Sequence, residues 1–214
     1  MKSAPVLFRM GQWGFRNAFD LLYRLEAVGV EYVPMDGPLL VASNHLSFFD
    51  PPAIGSIFPR PTWFFARKTL FGNAFSRYIL TSVLSIPVDR DGDSDVGAMR
   101  RVLQLMKENQ SLVMFPEGTR SPNGHPQDIR TGIGWLACKS QAPILPTRVE
   151  GSYDIWNRNM SAPALGPTLR VVFGKPILPA EYDPGSSYGK ERFEIAAKRI
   201  ATLLNAHWSG HSDI

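Results

Sequence analysis

The sequence holds one cysteine, Cys138, in 214 residues. No intramolecular disulfide framework and no cysteine zinc cluster can be built from it, so folding needs no oxidising compartment. No apolar run is long enough to span a bilayer. Arg9 interrupts the first ten residues before the apolar stretch of a secretory signal can develop, so membrane contact is expected to be peripheral. Net charge is also small: 23 Lys and Arg stand against 19 Asp and Glu, a formal +4. That bias is too weak to argue for a nucleic-acid partner, and it suits a surface that meets anionic groups such as phospholipid heads. Apolar residues are not scarce. At 44% hydrophobic and 20% charged the chain is neither disordered nor collagen-like. Its length fits one domain with a real core and leaves room for a small appendage.

Hydrophobic periodicity sets the organisation. Residues 5–28 read as one amphipathic helix at about 100° per residue. Arg9, Gln12, Arg16, Asp20 and Arg24 fall on one side, and Leu7, Phe8, Met10, Phe15, Ala18, Phe19, Leu21, Leu22 and Leu25 on the other. Such a helix either packs on the core or lies in a membrane interface, with its aromatics and leucines down and three arginines among head groups. Trp13 falls near the edge of the polar face. Beyond it, short apolar runs at 38–43, 62–66, 83–88, 112–115, 144–149 and 168–173 alternate with helical patterns. The helices are expected at 51–58, 69–80, 94–109, 131–141 and 187–207, with Ser94 as an N-cap. This alternation predicts an α/β domain over 31–214 with a mixed, largely parallel sheet flanked by helices, preceded by the helical segment 1–30.

Several familiar patterns fail on inspection. Asp89-Arg-Asp91-Gly-Asp93-Ser-Asp95 resembles a calcium loop, but its sixth position is Ser94 and its twelfth Arg100. Gly132-Ile-Gly134-Trp-Leu-Ala137 fits a dinucleotide fingerprint but follows a loop-like stretch, so it reads as a helix start with close backbone packing. There is no G-x-S-x-G elbow and no phosphate loop of the G-x-x-x-x-G-K type. Cys138 lies in a helical stretch as a core residue, not as a nucleophile.

Two stretches carry chemistry. In Asn44-His45-Leu-Ser47-Phe-Phe-Asp50-Pro51-Pro52 a strand ends in a polar turn and a helix begins. Asp50 before Pro51 suits a helix start. The turn can fold His45 back onto Asp50, a base with its orienting carboxylate. Taken alone, the bland alternative is that Asp50 only caps and His45 is incidental. In Phe115-Pro-Glu117-Gly118-Thr119-Arg120-Ser121 a carboxylate, a flexible glycine and a guanidinium follow a strand, at the end of the sheet where α/β proteins bind ligands. An arginine there matches a phosphate in bidentate fashion. The bland alternative is a surface turn with a local Glu–Arg pair.

Together the two stretches resemble the glycerolipid acyltransferase family, whose typical member is a 1-acyl-glycerol-3-phosphate acyltransferase. Ile86-Pro-Val-Asp89-Arg90 resembles the family's second block, and Ala142-Pro-Ile-Leu-Pro146-Thr-Arg-Val149 its fourth. Arg67-Lys68-Thr-Leu-Phe71 resembles the basic segment between the first two blocks. The likeness covers roughly residues 24–175. Ser85 stands where glycine is common, Arg67 where lysine is usual, and Asp128-Ile-Arg130-Thr-Gly132 replaces the usual Phe-Lys-x-Gly.

The resemblance implies the glycerol-3-phosphate acyltransferase-like fold. It implies acyl transfer from acyl-CoA or acyl carrier protein to a lysolipid hydroxyl, with 1-acyl-glycerol-3-phosphate as the expected acceptor and phosphatidic acid as product. His45 is then the base and Asp50 its orienter. Glu117, Gly118, Thr119 and Arg120 bind the acceptor's phosphate, and Arg67, Lys68 and Arg90 the same anion or the donor's phosphates. Asn44, Ser47 and Pro146 support the site. Backbone N–H groups near the start of the Asp50 helix are candidate oxyanion donors. No metal or redox cofactor is expected, and the partner surface is a phospholipid membrane at its cytoplasmic face. Rival readings are another lysolipid or a glycolipid acceptor, a thioester hydrolase, and a catalytically idle membrane-binding module.

Overall fold

The computed structural model describes residues 6–89 and 96–209. All six apolar runs form strands: β2 (Leu39–Ser43), β3 (Thr62–Arg67), β4 (Ser85–Val88), β5 (Ser111–Met114), β6 (Ile144–Glu150) and β7 (Arg170–Phe173). A seventh, β1 (Glu26–Val28), completes one sheet in the order β1-β7-β6-β2-β5-β3-β4. Only β6 and β7 pair antiparallel; the other neighbours are parallel. The sheet is therefore mixed and largely parallel, as the alternation predicted.

Strand β2 lies at its centre with every residue buried, so both faces must be apolar and the strand reads as a continuous run. The two-residue period then sorts its side chains. Leu39 and Val41 join the core under α1 (Val6–Tyr23) and α2 (Asp50–Ile57). Leu40 and Ala42 join the core under α4 (Val96–Lys107), α5 (Gly132–Ser140) and α8 (Glu191–Ser209). Helix α3 (Ala74–Ser82) leads into β4 at the sheet's edge. Two short helices, α6 (Ser152–Trp156) and α7 (Pro179–Tyr182), escaped the sequence reading because neither is long enough to show a period.

The first helix differs from expectation at its end and in its facing. It stops at Tyr23, where Arg24 takes a left-handed φ of 49°. The Leu169 N–H then bonds Tyr23 O, the Glu26 N–H bonds Leu169 O, and β1 begins beside β7. Leu25 therefore leaves the helix. The face holding Phe8 and Phe19 turns inward, and Phe19 packs on Phe49 with ring centroids 5.1 Å apart. Gln12, placed on the polar side by periodicity, also turns in, and its amide bonds Gly55 O and Phe58 O at the end of α2. Outward lies a second apolar stripe of Val6, Met10, Trp13 and Leu21, all well exposed, so Met10 and Leu21 do not share the inner face with Phe8 and Phe19 as periodicity suggested. A helix apolar on two opposite sides gives no unique inner face from its sequence.

The pattern at 69–80 divides into a 3-10 turn at Lys68–Phe71 and α3, capped where Asn73 Oδ1 accepts the Ser76 N–H at 2.8 Å. Ser94 and the acidic run after Asp89 lie outside the described residues, so α4 is described only from Val96.

The glycines at 132 and 134 do mark close packing, and only one of them matters. A Cβ on Gly134 would stand 2.1 Å from Phe193 O in α8, whereas one on Gly132 would meet nothing within 4 Å. Gly134→Ala is expected to lower stability by about 1–3 kcal/mol through forced separation of α5 and α8. Gly132→Ala should stay within about 0.5 kcal/mol of the parent. Urea denaturation of the two variants checks this; equal stabilities would contradict it.

Candidate active site

Strands β2 and β5 are parallel neighbours with Ala42 opposite Met114. Three residues past each lie His45 and Glu117, so the two sequence stretches leave the sheet in register. Their connections then part, β2 leading to α2 on one face and β5 to α5 on the other. Such divergence opens a crevice at the carboxyl ends of the strands. Two hydrogen bonds hold the loops together there. The His45 N–H donates to Glu117 Oε1 at 2.9 Å, and the Ser121 N–H donates to His45 O at 2.8 Å.

The five-residue step from His45 to Asp50 closes as the sequence suggested. His45 Nδ1 lies 2.9 Å from Asp50 Oδ2. An ionised carboxylate only accepts, so Nδ1 carries the hydrogen and Nε2 is left as the ring's acceptor. The ring stacks on Phe115 with centroids 4.0 Å apart. Asp50 does not cap its own helix. The carboxylate reaches backward, and Oδ2 also accepts the N–H groups of Leu46 and Ser47, both at 2.7 Å. Pro51 and Pro52 lack N–H groups, so the first turn of α2 asks for fewer caps. Ser152 Oγ donates to Oδ1 at 2.6 Å, a contact across 102 residues that local spacing could not foretell.

The four backbone donors from Leu46 to Phe49 are engaged. Leu46 and Ser47 serve Asp50, the Phe48 N–H bonds Trp156 O, and the Phe49 N–H bonds Ser47 Oγ. These four are therefore spent within the turn and drop out of the N–H groups near this helix start that were candidate oxyanion donors. Ser47 supports the turn, its hydroxyl donating to Trp156 O at 2.7 Å. The Asn44 amide clamps β6 through both Val149 O and the Val149 N–H. Pro146 lies within β6 opposite Ala42 and does not line the cavity.

The Pro-Glu-Gly-Thr-Arg stretch divides by role. The Glu117 carboxyl is buried and turned to the loop backbone, accepting from His45 and from the Gln127 N–H, so it does not face a ligand beside Arg120. Burial outweighs these donors and, with a contribution from the nearby Asp50 charge, pushes its pKa from 4.5 up to about 7. Gly118 has φ +77°, and a Cβ there would stand 2.5 Å from Arg130 Nε, which donates to Glu117 O. Its role is to let this turn close. Thr119 and Arg120 do line the cavity, and the Arg120 guanidinium sits 3.5 Å over the Phe48 ring.

That cavity has a volume of about 740 Å³ and is lined by His45, Ser47, Thr119, Arg120 and Arg67 together with apolar walls from α1, α2, β3 and α3. The contribution of Phe8, Gly11 and Phe15 from α1 was not anticipated. Lys68 is turned away, ion-paired with Asp89 at 3.8 Å, and Arg90 lies outside the described residues. No three His, Cys, Asp or Glu side chains among the described residues gather as metal ligands.

Comparison with known proteins gives a consistent set of likenesses. A family model described as Acyltransferase matches residues 24–150. The chain is 25% identical over 183 residues to the 1-acyl-sn-glycerol-3-phosphate acyltransferase of Bacillus subtilis, covering 82% of this chain and 85% of that protein. It is 28% identical over 163 residues to a chloroplastic enzyme of the same name from Brassica napus, covering 75% of this chain and 47% of that one. It is 31% identical over 136 residues to the alpha form from Homo sapiens, covering 62% and 48%. The chain thus spans about half the length of the plant and human relatives. In fold it resembles the crystal structure of the 1-acyl-sn-glycerophosphate acyltransferase from Thermotoga maritima, with TM-score 0.72, 23% identity, and coverage of 95% of this chain and 81% of that one.

Glu117 gives the site a pH signature. Its folded pKa is raised, so the native chain keeps a proton that the unfolded chain releases between pH 4.5 and about 7. Its contribution to stability is full below the unfolded value and is lost as pH rises through about 7. The urea midpoint is expected to fall more steeply from pH 5 to 8 in the parent than in Glu117→Gln, which cannot titrate. Parallel curves would contradict the assignment.

Proposed function

The chain belongs to the acyltransferase family, and from that premise we propose that it moves a fatty acyl group from a thioester donor, acyl-CoA or acyl carrier protein, to the free hydroxyl of 1-acyl-glycerol-3-phosphate, giving phosphatidic acid. The observation that carries the reading is the His45–Asp50 pair on the wall of a cavity with apolar sides and a guanidinium. An alcohol is a poor nucleophile until its proton is taken. His45 Nε2 takes that proton as the oxygen attacks the thioester carbonyl carbon. The imidazolium that forms is stabilised by Asp50 through Nδ1. The carbon–sulfur bond then breaks, and the departing thiolate takes the proton back from His45. The acyl chain lies along the apolar walls from α1, α2 and β3. The acceptor's phosphate meets Arg120, whose planar fork suits two phosphate oxygens and whose face is held by Phe48. The names of the curated relatives favour this acceptor over other lysolipids.

Lipid mass spectrometry tests the reading on purified protein given acyl-CoA or acyl carrier protein and a panel of lysolipids. Phosphatidic acid should accumulate only with lysophosphatidic acid. Free fatty acid without acceptor would instead indicate a hydrolase, and no turnover an idle module. In the same assay His45→Ala should lose about 10²–10⁴-fold in rate while keeping the parent's melting temperature. Near-parental turnover in the folded variant would overturn the mechanism.

The lysolipid acceptor and its diacyl product reside in bilayers, so the protein works as a peripheral protein on a phospholipid surface. No helix among the described residues is long and apolar enough to cross a membrane. The docking face is the outward stripe of Met10, Trp13 and Leu21, extended by Phe75 and Tyr78 on α3, with Arg9 and Arg16 beside it. Phe8 and Phe19 are already committed to the protein interior. Burying each large side chain contributes about 1.5–3 kcal/mol. Met10→Glu with Trp13→Glu is therefore expected to lower flotation with anionic vesicles at least about ten-fold. It should also harm activity on vesicle-borne acceptor more than on a short-chain soluble one. Parental flotation would place docking elsewhere.

A further inference from the structure

The carboxylate of Asp50 has two ends, and the mechanism above uses only one. Oδ2 carries His45 Nδ1 and the N–H groups of Leu46 and Ser47; Oδ1 accepts from Ser152 Oγ at 2.6 Å. Ser152 is fully buried and opens α6, the short helix that follows β6. Its placement is held from two sides. Asn44 clamps Val149 at the end of β6, and the far end of α6 accepts through Trp156 O from both Ser47 Oγ and the Phe48 N–H. Helix α6 is thus fastened at both ends to the turn that carries His45. A carboxylate turns with little resistance about its Cβ–Cγ bond. Rotation would carry Oδ2 off its three donors, and the donor on Oδ1 restrains it further by holding the opposite oxygen. The hydroxyl lies on the carboxylate, not on the imidazole. It is therefore not the nucleophile of a serine triad, where the hydroxyl faces Nε2.

We propose that Ser152 is a positioning residue for acyl transfer: by bonding Oδ1 it fixes the carboxylate plane of Asp50, so that Oδ2 stays in line with His45 Nδ1. The proposal rests on His45 acting as the base. Loss of the hydroxyl leaves the cavity and Arg120 untouched, so substrate binding is preserved and the chemical step suffers.

The test is steady-state kinetics with donor and acceptor each varied, on the full chain carrying Ser152→Ala, Ser152→Thr or Tyr153→Phe. Tyr153 bonds Pro122 O from the same short helix without touching Asp50, so its variant reports the effect of merely loosening α6. Ser152→Ala is expected to lose about ten-fold in kcat with both KM values within about two-fold, in a protein whose melting temperature falls but stays above the assay temperature. Ser152→Thr, which keeps the hydroxyl, should retain most of the rate, and Tyr153→Phe should match the parent. By proton NMR, the downfield resonance of His45 Nδ1–H should broaden or move upfield in Ser152→Ala alone. A Ser152→Ala kcat within two-fold of the parent would overturn the proposal. So would a loss expressed in KM, an equal loss in Tyr153→Phe, or a Thr variant as slow as Ala. An active His45→Ala would instead refute the base assignment; a dead His45→Ala beside a parental Ser152→Ala refutes the role of Ser152 alone.

Discussion

A single buried carboxylate organises this site. Asp50 is fully buried, and a carboxylate taken from water with too few donors would cost several kcal/mol or give up its charge. Four donors prevent that, from His45, Leu46, Ser47 and Ser152. Satisfying them dictates the local structure. The turn must double back so that two successive N–H groups point at one oxygen. Helix α2 must start at Asp50, where Pro51 and Pro52 remove two N–H groups that the carboxylate no longer caps. Helix α6 must dock with its first residue inward.

A second buried carboxyl acts as a strut between strands. Glu117 bonds the His45 N–H with one oxygen and the Gln127 N–H with the other, tying the loop after β2 to the loop after β5. The parallel register, Ala42 opposite Met114, brings the two residues level before either side chain acts. Gly118 lets the chain turn immediately afterward under Arg130, which delivers Thr119 and Arg120 to the cavity. The family's two most distinctive sequence blocks are therefore one structural unit. The first carries His45, and the second fixes the His45 backbone and presents a guanidinium to the cavity.

What the sequence revealed follows the range of the interactions involved. Six strands were legible because buried strands of a largely parallel sheet must be apolar on both faces. The His45–Asp50 contact was legible because only four residues separate the pair and a proline marks the helix start. Glycine spacing at 132 and 134 signalled tight packing, fulfilled at Gly134 against α8. Contacts across the chain were not legible. Ser152 reaches Asp50 from the far side of the fold. Glu117 looked like a ligand group because nothing local shows its carboxyl being consumed by backbone donors. Strand β1 is three mostly exposed residues at a sheet edge and carries no pattern. The first helix misled because it is apolar on opposite sides: periodicity grouped Met10 and Leu21, which face outward, with Phe8 and Phe19, which face the interior.

The account stands on the claim that Asp50 acts by holding His45 in one tautomer, with hydrogen on Nδ1 and a vacant lone pair on Nε2. Replacing Asp50 by Asn keeps size and packing but presents an amide that can donate where the carboxylate could only accept. Turnover of Asp50→Asn at saturating donor and acceptor is the most direct measurement. The account predicts a fall of about 10²–10⁴-fold in a protein that is less stable than the parent but still folded at the assay temperature. A folded Asp50→Asn protein that turns over within about two-fold of the parent would contradict it.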